Sequence, residues 1–258
     1  MIDRITIGIG CSSDVGKVIH SAEEIANSNI HIRCYCCPGT VEDLSVGPFV
    51  ELNIDPKPAQ CLIDDLLDGS IDGAVRGTLP ANETLRYLKK SCGVEKLERL
   101  ALLETVDHQK FFLAPVGIDE GWTIQEKISL INKARGLARK LGISERTAVL
   151  SGGRTDDIGR HPIVDKTVVD AQEIAQLTGA VHGEILIENA VQDCGIIIAP
   201  DGISGNLIFR TLTFLGHGIG HGAPVVNIFP IFVDSSRASS GYGGSLHLAA
   251  ALVYGKKP

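Results

Sequence analysis

Aromatic residues make up only 5% of the 258-residue chain, with one Trp and one Met. No set of aromatic side chains forms a stacking platform for bases. Basic excess is also lacking: 24 Lys and Arg face 31 Asp and Glu, a formal net charge of −7. Such a surface cannot neutralise a phosphate backbone or an anionic membrane, which excludes general nucleic-acid or membrane binding and leaves only local basic pockets. No apolar run reaches the roughly 18 residues of a membrane span. The N-terminal Met-Ile-Asp-Arg-Ile-Thr-Ile-Gly reads as a strand, not a signal peptide, so a cytoplasmic protein is expected. The seven cysteines are an odd number without a secretory signal, and they read as buried thiols. In Cys34-Tyr-Cys36-Cys37, alternate residues would share a strand face, but no second thiolate or His pair follows at zinc-site spacing. No metal is expected, and no cofactor is specified.

What the chain does have is 44% hydrophobic residues, enough for a sizeable core, arranged as short apolar strands alternating with amphipathic helices. The pattern predicts strands at 5–9, 30–35, 73–75, 100–103, 111–114, 148–150, 184–187, 195–199 and 224–233. Helices are predicted at 14–27, 61–67, 82–90, 124–141, 165–177, 207–215 and 246–254. The fold class is α/β with mainly parallel sheets. A change of texture at Pro115 and a glycine-rich stretch at 216–222 suggest two domains. The first would be 1–114 with 223–258, the second an inserted 115–222, with a ligand cleft between them.

The most informative stretch is Cys194-Gly-Ile-Ile-Ile-Ala-Pro-Asp-Gly-Ile-Ser-Gly-Asn206: an apolar strand, a small-residue turn, then a helical pattern. Asp201, Gly202, Ser204, Gly205 and Asn206 would offer backbone N–H groups and a helix N-terminus to an anion. Ser151-Gly152-Gly153-Arg154 follows another strand and adds a hydroxyl and a planar guanidinium suited to phosphate or carboxylate. Asp234-Ser235-Ser236-Arg237 repeats the logic after the last apolar strand, with a helix-capping loop as the plain alternative. No base is evident beside either serine, so a Ser–His–Asp triad is not supported. Gly8-Ile-Gly10-Cys-Ser-Ser-Asp-Val-Gly16-Lys17 fails as a phosphate loop: the first glycine of such a loop would fall on Cys11, and Val18 stands where Ser or Thr is needed. Asn82, Glu83 and Arg86 start a helix after Arg76-Gly77 and could meet an anion or simply cap. His217-Gly-Ile-Gly-His221 has metal-like spacing only if helical, which its glycines oppose.

These loops together resemble the phosphate acetyl/butyryltransferase fold family and, in Asp201-Gly-x-x-Gly-Asn206, the related acyl-phosphate synthase of phospholipid synthesis. Within that superfamily the chain is most similar to the MtxX family of methanogenic archaea. The most specific pieces are Phe112 to Gly121, Leu150 to Asp157 and Ala199 to Asn206. The resemblance implies a two-domain, isocitrate/isopropylmalate dehydrogenase-like fold with an interdomain cleft, and a homodimer formed through the second domain. It also implies a transferase, methyltransferase-associated, in methanogenesis, with a methyltransferase or corrinoid protein as partner. Yet no corrinoid-binding Asp-x-His-x-x-Gly signature and no glycine loop of the S-adenosylmethionine type stands in the sequence. In phosphate acetyltransferases a Ser-Arg pair after the last strand works with a downstream acid. Ser236-Arg237 matches the pair, while the acidic position falls on Gly243. The resemblance thus assigns Ser236 and Arg237 as catalytic. Ser151 to Arg154, Asp201 to Asn206 and Ser235 would line the site for a small anionic or coenzyme-bearing substrate. Acyl or phosphate transfer from a coenzyme A thioester is the alternative reading, and a non-catalytic assembly or regulatory subunit is the second.

Overall fold

The computed structural model describes residues 4–41, 44–237 and 239–255. The chain forms two compact units, Met1–Leu97 with His221–Pro258, and Glu98–Gly220. The first unit contains β1 (Ile5–Cys11), α1 (Val15–Ile25), β2 (Ile30–Cys36), β3 (Val50–Ile54), α2 (Pro58–Asp68), β4 (Gly73–Val75) and α3 (Ala81–Ser91). The second contains β5 (Ala101–Glu104), β6 (Lys110–Ala114), α4 (Ile124–Lys140), β7 (Thr147–Leu150), α5 (Pro162–Thr178), β8 (Val181–Glu184), α6 (Ile187–Asp193), β9 (Ile196–Ile198) and α7 (Gly202–Phe214). β10 (Ile219–Pro224) then leads back to the first unit, which ends with β11 (Ile231–Asp234) and α8 (Gly243–Tyr254).

In the first unit the strands run β3-β2-β1-β4-β11, all parallel, and the end of β10 pairs antiparallel with β11. β1 shows how its sequence dictates its packing. Its alternating isoleucines Ile5, Ile7 and Ile9 are fully buried. Its glycines Gly8 and Gly10 occupy the other face, because a Cβ at Gly8 would press on Leu62, Ile71 and Tyr35, and one at Gly10 on Leu79. The Gly-x-Gly of this strand therefore serves helix-on-sheet packing, not a nucleotide. Cys11, Cys34 and Cys36 are buried in the same region, and burial pushes the Cys34 thiol up. α8 is apolar around most of its circumference and packs on β11, β4, β1 and α1.

In the second unit β5 and β6 form an antiparallel pair, and β6-β9-β7-β8 is parallel. The division between units falls after Leu97, ahead of the expected boundary at Pro115, because β6 pairs with β9 at Phe112↔Ile196 through Ala114↔Ile198. The return falls at Gly220/His221. Other expectations shift for identifiable reasons. The strand expected at 184–187 ends at Glu184, whose φ of 54° leaves the extended region, and its apolar tail starts α6. The strand expected over 224–233 is divided between β10 and β11, and in the interval the Asn227 side chain donates to Lys96 O at 2.8 Å. β10, expected as a turn, is extended; β3 was not expected, because Glu51 and Asn53 interrupt its apolar residues. α7 begins at Gly202, five residues before its predicted start.

Candidate functional site

In a parallel sheet, loops leaving the carboxyl ends of the strands collect on one edge, which is where α/β proteins place ligands. In the first unit that edge is formed by the residues after β1, β4 and β11. Thr78 joins the first two: Ser12 N and Ser13 N donate to its Oγ1 at 2.8 and 3.1 Å, and Ser12 Oγ donates to its carbonyl at 2.7 Å. Gly77 must be glycine here, since its φ is +60° and a Cβ would overlap the Gly10 carbonyl.

Arg76 ties the β11 loop to the same edge. Its side chain is buried, with Nε 2.5 Å from Asp234 Oδ1, Nη1 2.7 Å from Leu79 O and Nη2 on Ser235 O. Ser235 is buried as well, its hydroxyl donating to Gly77 O at 3.2 Å. Of the three residues expected at this loop, Ser235 is thus used for anchoring. Ser236 is half-buried, and its carbonyl accepts from Ser239 N at 3.1 Å and from the Tyr242 hydroxyl at 3.4 Å. Arg237 is exposed and makes no ion pair among the described residues. Burial pushes the Tyr242 phenol up to about 12. Gly243 begins α8 with only Ile25 Cδ1, at 3.8 Å, near the position of a Cβ, so crowding does not explain the missing acid. Asn82, Glu83 and Arg86 are exposed on α3, and the buried residue of that segment is Thr84.

In the second unit the edge is formed after β7, β8 and β9. Ser151 is buried. Its Oγ donates to Gly153 O at 2.8 Å and lies 2.9 Å from His182 Nε2. Because the hydroxyl has one proton and the carbonyl takes it, the imidazole donates and carries its proton on Nε2. Burial holds His182 below its ordinary pKa, opposed by the Glu184 carboxylate. Ser151 therefore closes the loop and is not primed as a nucleophile. Three other backbone donors of the loop are also used internally. Gly152 N donates to Thr167 Oγ1 at 2.8 Å, Arg154 N to Asp157 Oδ2 at 2.8 Å, and Thr155 N to Glu184 Oε1 at 2.9 Å. Gly153 is buried against Val164 and Asp157. The Arg154 side chain is exposed, without an ion-pair partner among the described residues.

After β9 the expected turn is the first turn of α7. Asp201 is its N-cap, accepting from Ser204 N at 2.8 Å and Ser204 Oγ at 3.1 Å. Gly202 N donates to Glu120 O at 3.2 Å and Gly205 N to Asp201 O at 3.0 Å. Asn206 Nδ2 donates to Val116 O at 3.0 Å. A Cβ at Gly202 would overlap Gly117 O, and one at Gly205 would overlap Pro115 O. The glycines thus let α7 lie against the 115–120 backbone, and the N–H groups of Gly202, Ser204 and Gly205 are spent inside the unit. Beneath this contact Glu120 is buried with its Oε1 2.7 Å from Arg99 Nε; burial raises its pKa against the pull of Arg99.

Sequence reasoning left out His182, Thr78 and Tyr242 as site residues; Lys17 entered only in the rejected phosphate loop, and Arg76 only as the residue ahead of a helix. For Arg76 a signal existed, a cation closing a buried strand; nothing local marks the others. His217 and His221 do not share a helix, since His217 has φ 56° and Ile219–Pro224 is β10.

No family model matches the chain. It is 44% identical over 214 residues to "Putative methyltransferase mtx subunit X" of Methanosarcina acetivorans, covering 81% of this chain and 76% of the relative. This chain belongs to the mtx subunit X family. A relative from Methanopyrus kandleri, described as an uncharacterized methyltransferase, is 32% identical over 96% of this chain and 99% of its own length. Among solved structures, a branched-chain phosphotransacylase from Enterococcus faecalis superimposes with a TM-score of 0.76 at 20% identity, covering 96% of this chain and 99% of that one. The mtx subunit X fold is thus phosphotransacetylase-like, an α/β architecture with largely parallel sheets.

Proposed function

We propose that this member of the mtx subunit X family is a methanogen transferase that binds a small anionic, phosphate- or coenzyme-bearing substrate through the loop after β11. The observation that carries the reading is Arg237: an exposed guanidinium without an ion-pair partner among the described residues, beside Ser236, on a loop anchored by buried Arg76. A planar cation held on a fixed loop suits a phosphate or carboxylate. Ser236 orients the reacting group, and Arg154 is the corresponding cation of the second unit. The relatives are named as methyltransferase subunits, and methyl transfer with a methyltransferase or corrinoid-protein partner is the reaction we assign first. Acyl transfer involving a coenzyme A thioester is the second reading, favoured by the phosphotransacylase-like fold; Gly243, at the start of α8, weighs against it, because it stands where the resemblance expects an acid. The exposed apolar residues Ile203, Leu207, Phe214 and Leu215 on and after α7 support pairing of two copies through the second unit.

The test is a thermal-shift titration with inorganic phosphate, coenzyme A and acetyl phosphate on the parent and Arg237→Ala. A ligand that binds only the folded state raises Tm with concentration. Losing a charged hydrogen bond costs about 1.5–3 kcal/mol, so the variant should bind the responding anion at least about tenfold more weakly. If none of these ligands raises Tm in the parent, or if Arg237→Ala responds like the parent, the reading fails.

A further inference from the structure

The stretch from Gly8 to Lys17 fails as a phosphate loop, yet its lysine has a defined place. Lys17 lies in the first turn of α1, where a cation opposes the helix dipole. The same helix start lacks an acidic residue in its first turn. Its N-cap, Asp14, has φ 47° and ψ 46° and makes no side-chain capping bond. A cation in the first turn and a left-handed N-cap without a side-chain capping bond are both unfavourable to the helix. Lys17 instead contacts the residues that follow Arg237. Lys17 Nζ donates to Ser239 O at 3.0 Å and to Asp14 Oδ2 at 3.3 Å, and it sits 5.7 Å from the centroid of the Tyr242 ring. One turn further along α1, Ser21 Oγ accepts from Tyr242 N at 3.0 Å and donates to Lys17 O at 2.9 Å. Tyr242 in turn reaches Ser236 O through its hydroxyl, and Ser239 Oγ donates to Gly241 O at 2.8 Å. One face of α1 therefore grips the segment at Ser239 and at Tyr242, more than 200 residues away in sequence.

We infer that Lys17 is a positioning residue: it holds Ser239 O and the ring of Tyr242, whose hydroxyl reaches Ser236 O, so that Arg237 is held ready for its anion. The inference rests on the assignment of Arg237 above. A hydrogen bond between an ammonium and a carbonyl contributes more than a neutral one, and its loss frees a loop whose ordering must then be repaid at binding.

The experiment compares the parent, Lys17→Met, Lys17→Gln, Lys17→Arg and Arg237→Ala by phosphate titration of Tm and by hydrogen exchange of the amides at 239–242 without phosphate. Lys17→Met and Lys17→Gln should weaken phosphate binding by roughly three- to tenfold and speed exchange in the segment. Lys17→Arg, which keeps a donor, should restore both. Lys17 being partly exposed, the variants are expected to fold, and Lys17→Gln provides the milder change. If Arg237→Ala weakens binding and neither Lys17→Met nor Lys17→Gln does, the positioning role is overturned while the anion site stands. Weakened binding with unchanged exchange also overturns it, since Lys17 would then touch the anion itself. If Arg237→Ala has no effect, the anion reading falls and this inference falls with it.

Discussion

Gly205 offers the sharpest check on what the glycines after β9 do. In a helix, Gly→Ala normally gains up to about 1 kcal/mol from reduced backbone freedom. At Gly205 the added methyl group would overlap the carbonyl oxygen of Pro115, and it would stand 3.1 Å from that carbonyl carbon and 3.3 Å from Ala199 Cβ. The obstacle is backbone, which cannot rotate away. Relief requires α7 to move off the 115–120 segment, straining the bonds from Asn206 to Val116 O and from Gly202 N to Glu120 O. Overpacking of this kind costs about 1–3 kcal/mol, and each weakened hydrogen bond about 1 more. Against the propensity gain, Gly205→Ala should destabilise by about 2–4 kcal/mol, or roughly 5–15 °C in Tm. Gly136 is the internal control: it lies in α4 with no heavy atom within 4 Å of its Cβ position, so Gly136→Ala should be neutral or stabilise by up to about 1 kcal/mol. Urea denaturation monitored by circular dichroism reads both. If Gly205→Ala matches Gly136→Ala, the close approach of α7 is wrong, and those glycines become free for a ligand.

Two further outcomes follow from the second unit. Asp201→Ala removes the N-cap of α7 and should cost about 1 kcal/mol in urea denaturation even without any ligand; an unchanged midpoint would return Asp201 to the list of substrate contacts. His182, held below its ordinary pKa by burial, donates to Ser151 as a neutral ring. The unfolded chain binds its proton more readily, so this contribution is complete above the unfolded pKa of about 6.5 and is lost as pH falls through the lower folded value. The parent should therefore lose more stability between about pH 7.5 and about pH 5.5 than His182→Gln does. Equal losses would refute it.

Much of the architecture was legible because buried parallel strands write themselves as short β-branched runs and their helices as stripes of period near 3.6. β1, β4, β6, β7 and β9 fall where those runs stand, and α4 is bounded by Thr123, whose hydroxyl accepts from Glu126 N. β3 and β10 were invisible because polar residues in the one, and glycine, His and Pro in the other, break the apolar run. The three loops bearing Ser151, Asp201 and Ser235 were found because small and polar residues after an apolar run signal a strand's carboxyl end. Their use was not legible. Whether a glycine N–H faces a ligand or a neighbouring carbonyl depends on what packs against it, and Pro115 O is 90 residues from Gly205.

By itself, then, the sequence determined the alternation of strands and helices and the loops at the strand ends, which follow from periodicity and from residues adjacent in the chain. The family came from the likeness of whole motifs to known relatives, which neither periodicity nor composition shows. Only the tertiary structure decided that Ser151, Ser235 and the Asp201 to Asn206 turn are spent on internal bonds, and that Arg237 sits on a loop gripped by Arg76 and Lys17. Hydrogen bonds between distant segments leave no periodic trace, and a donor's partner is set by which backbone the fold brings within about 3 Å of it.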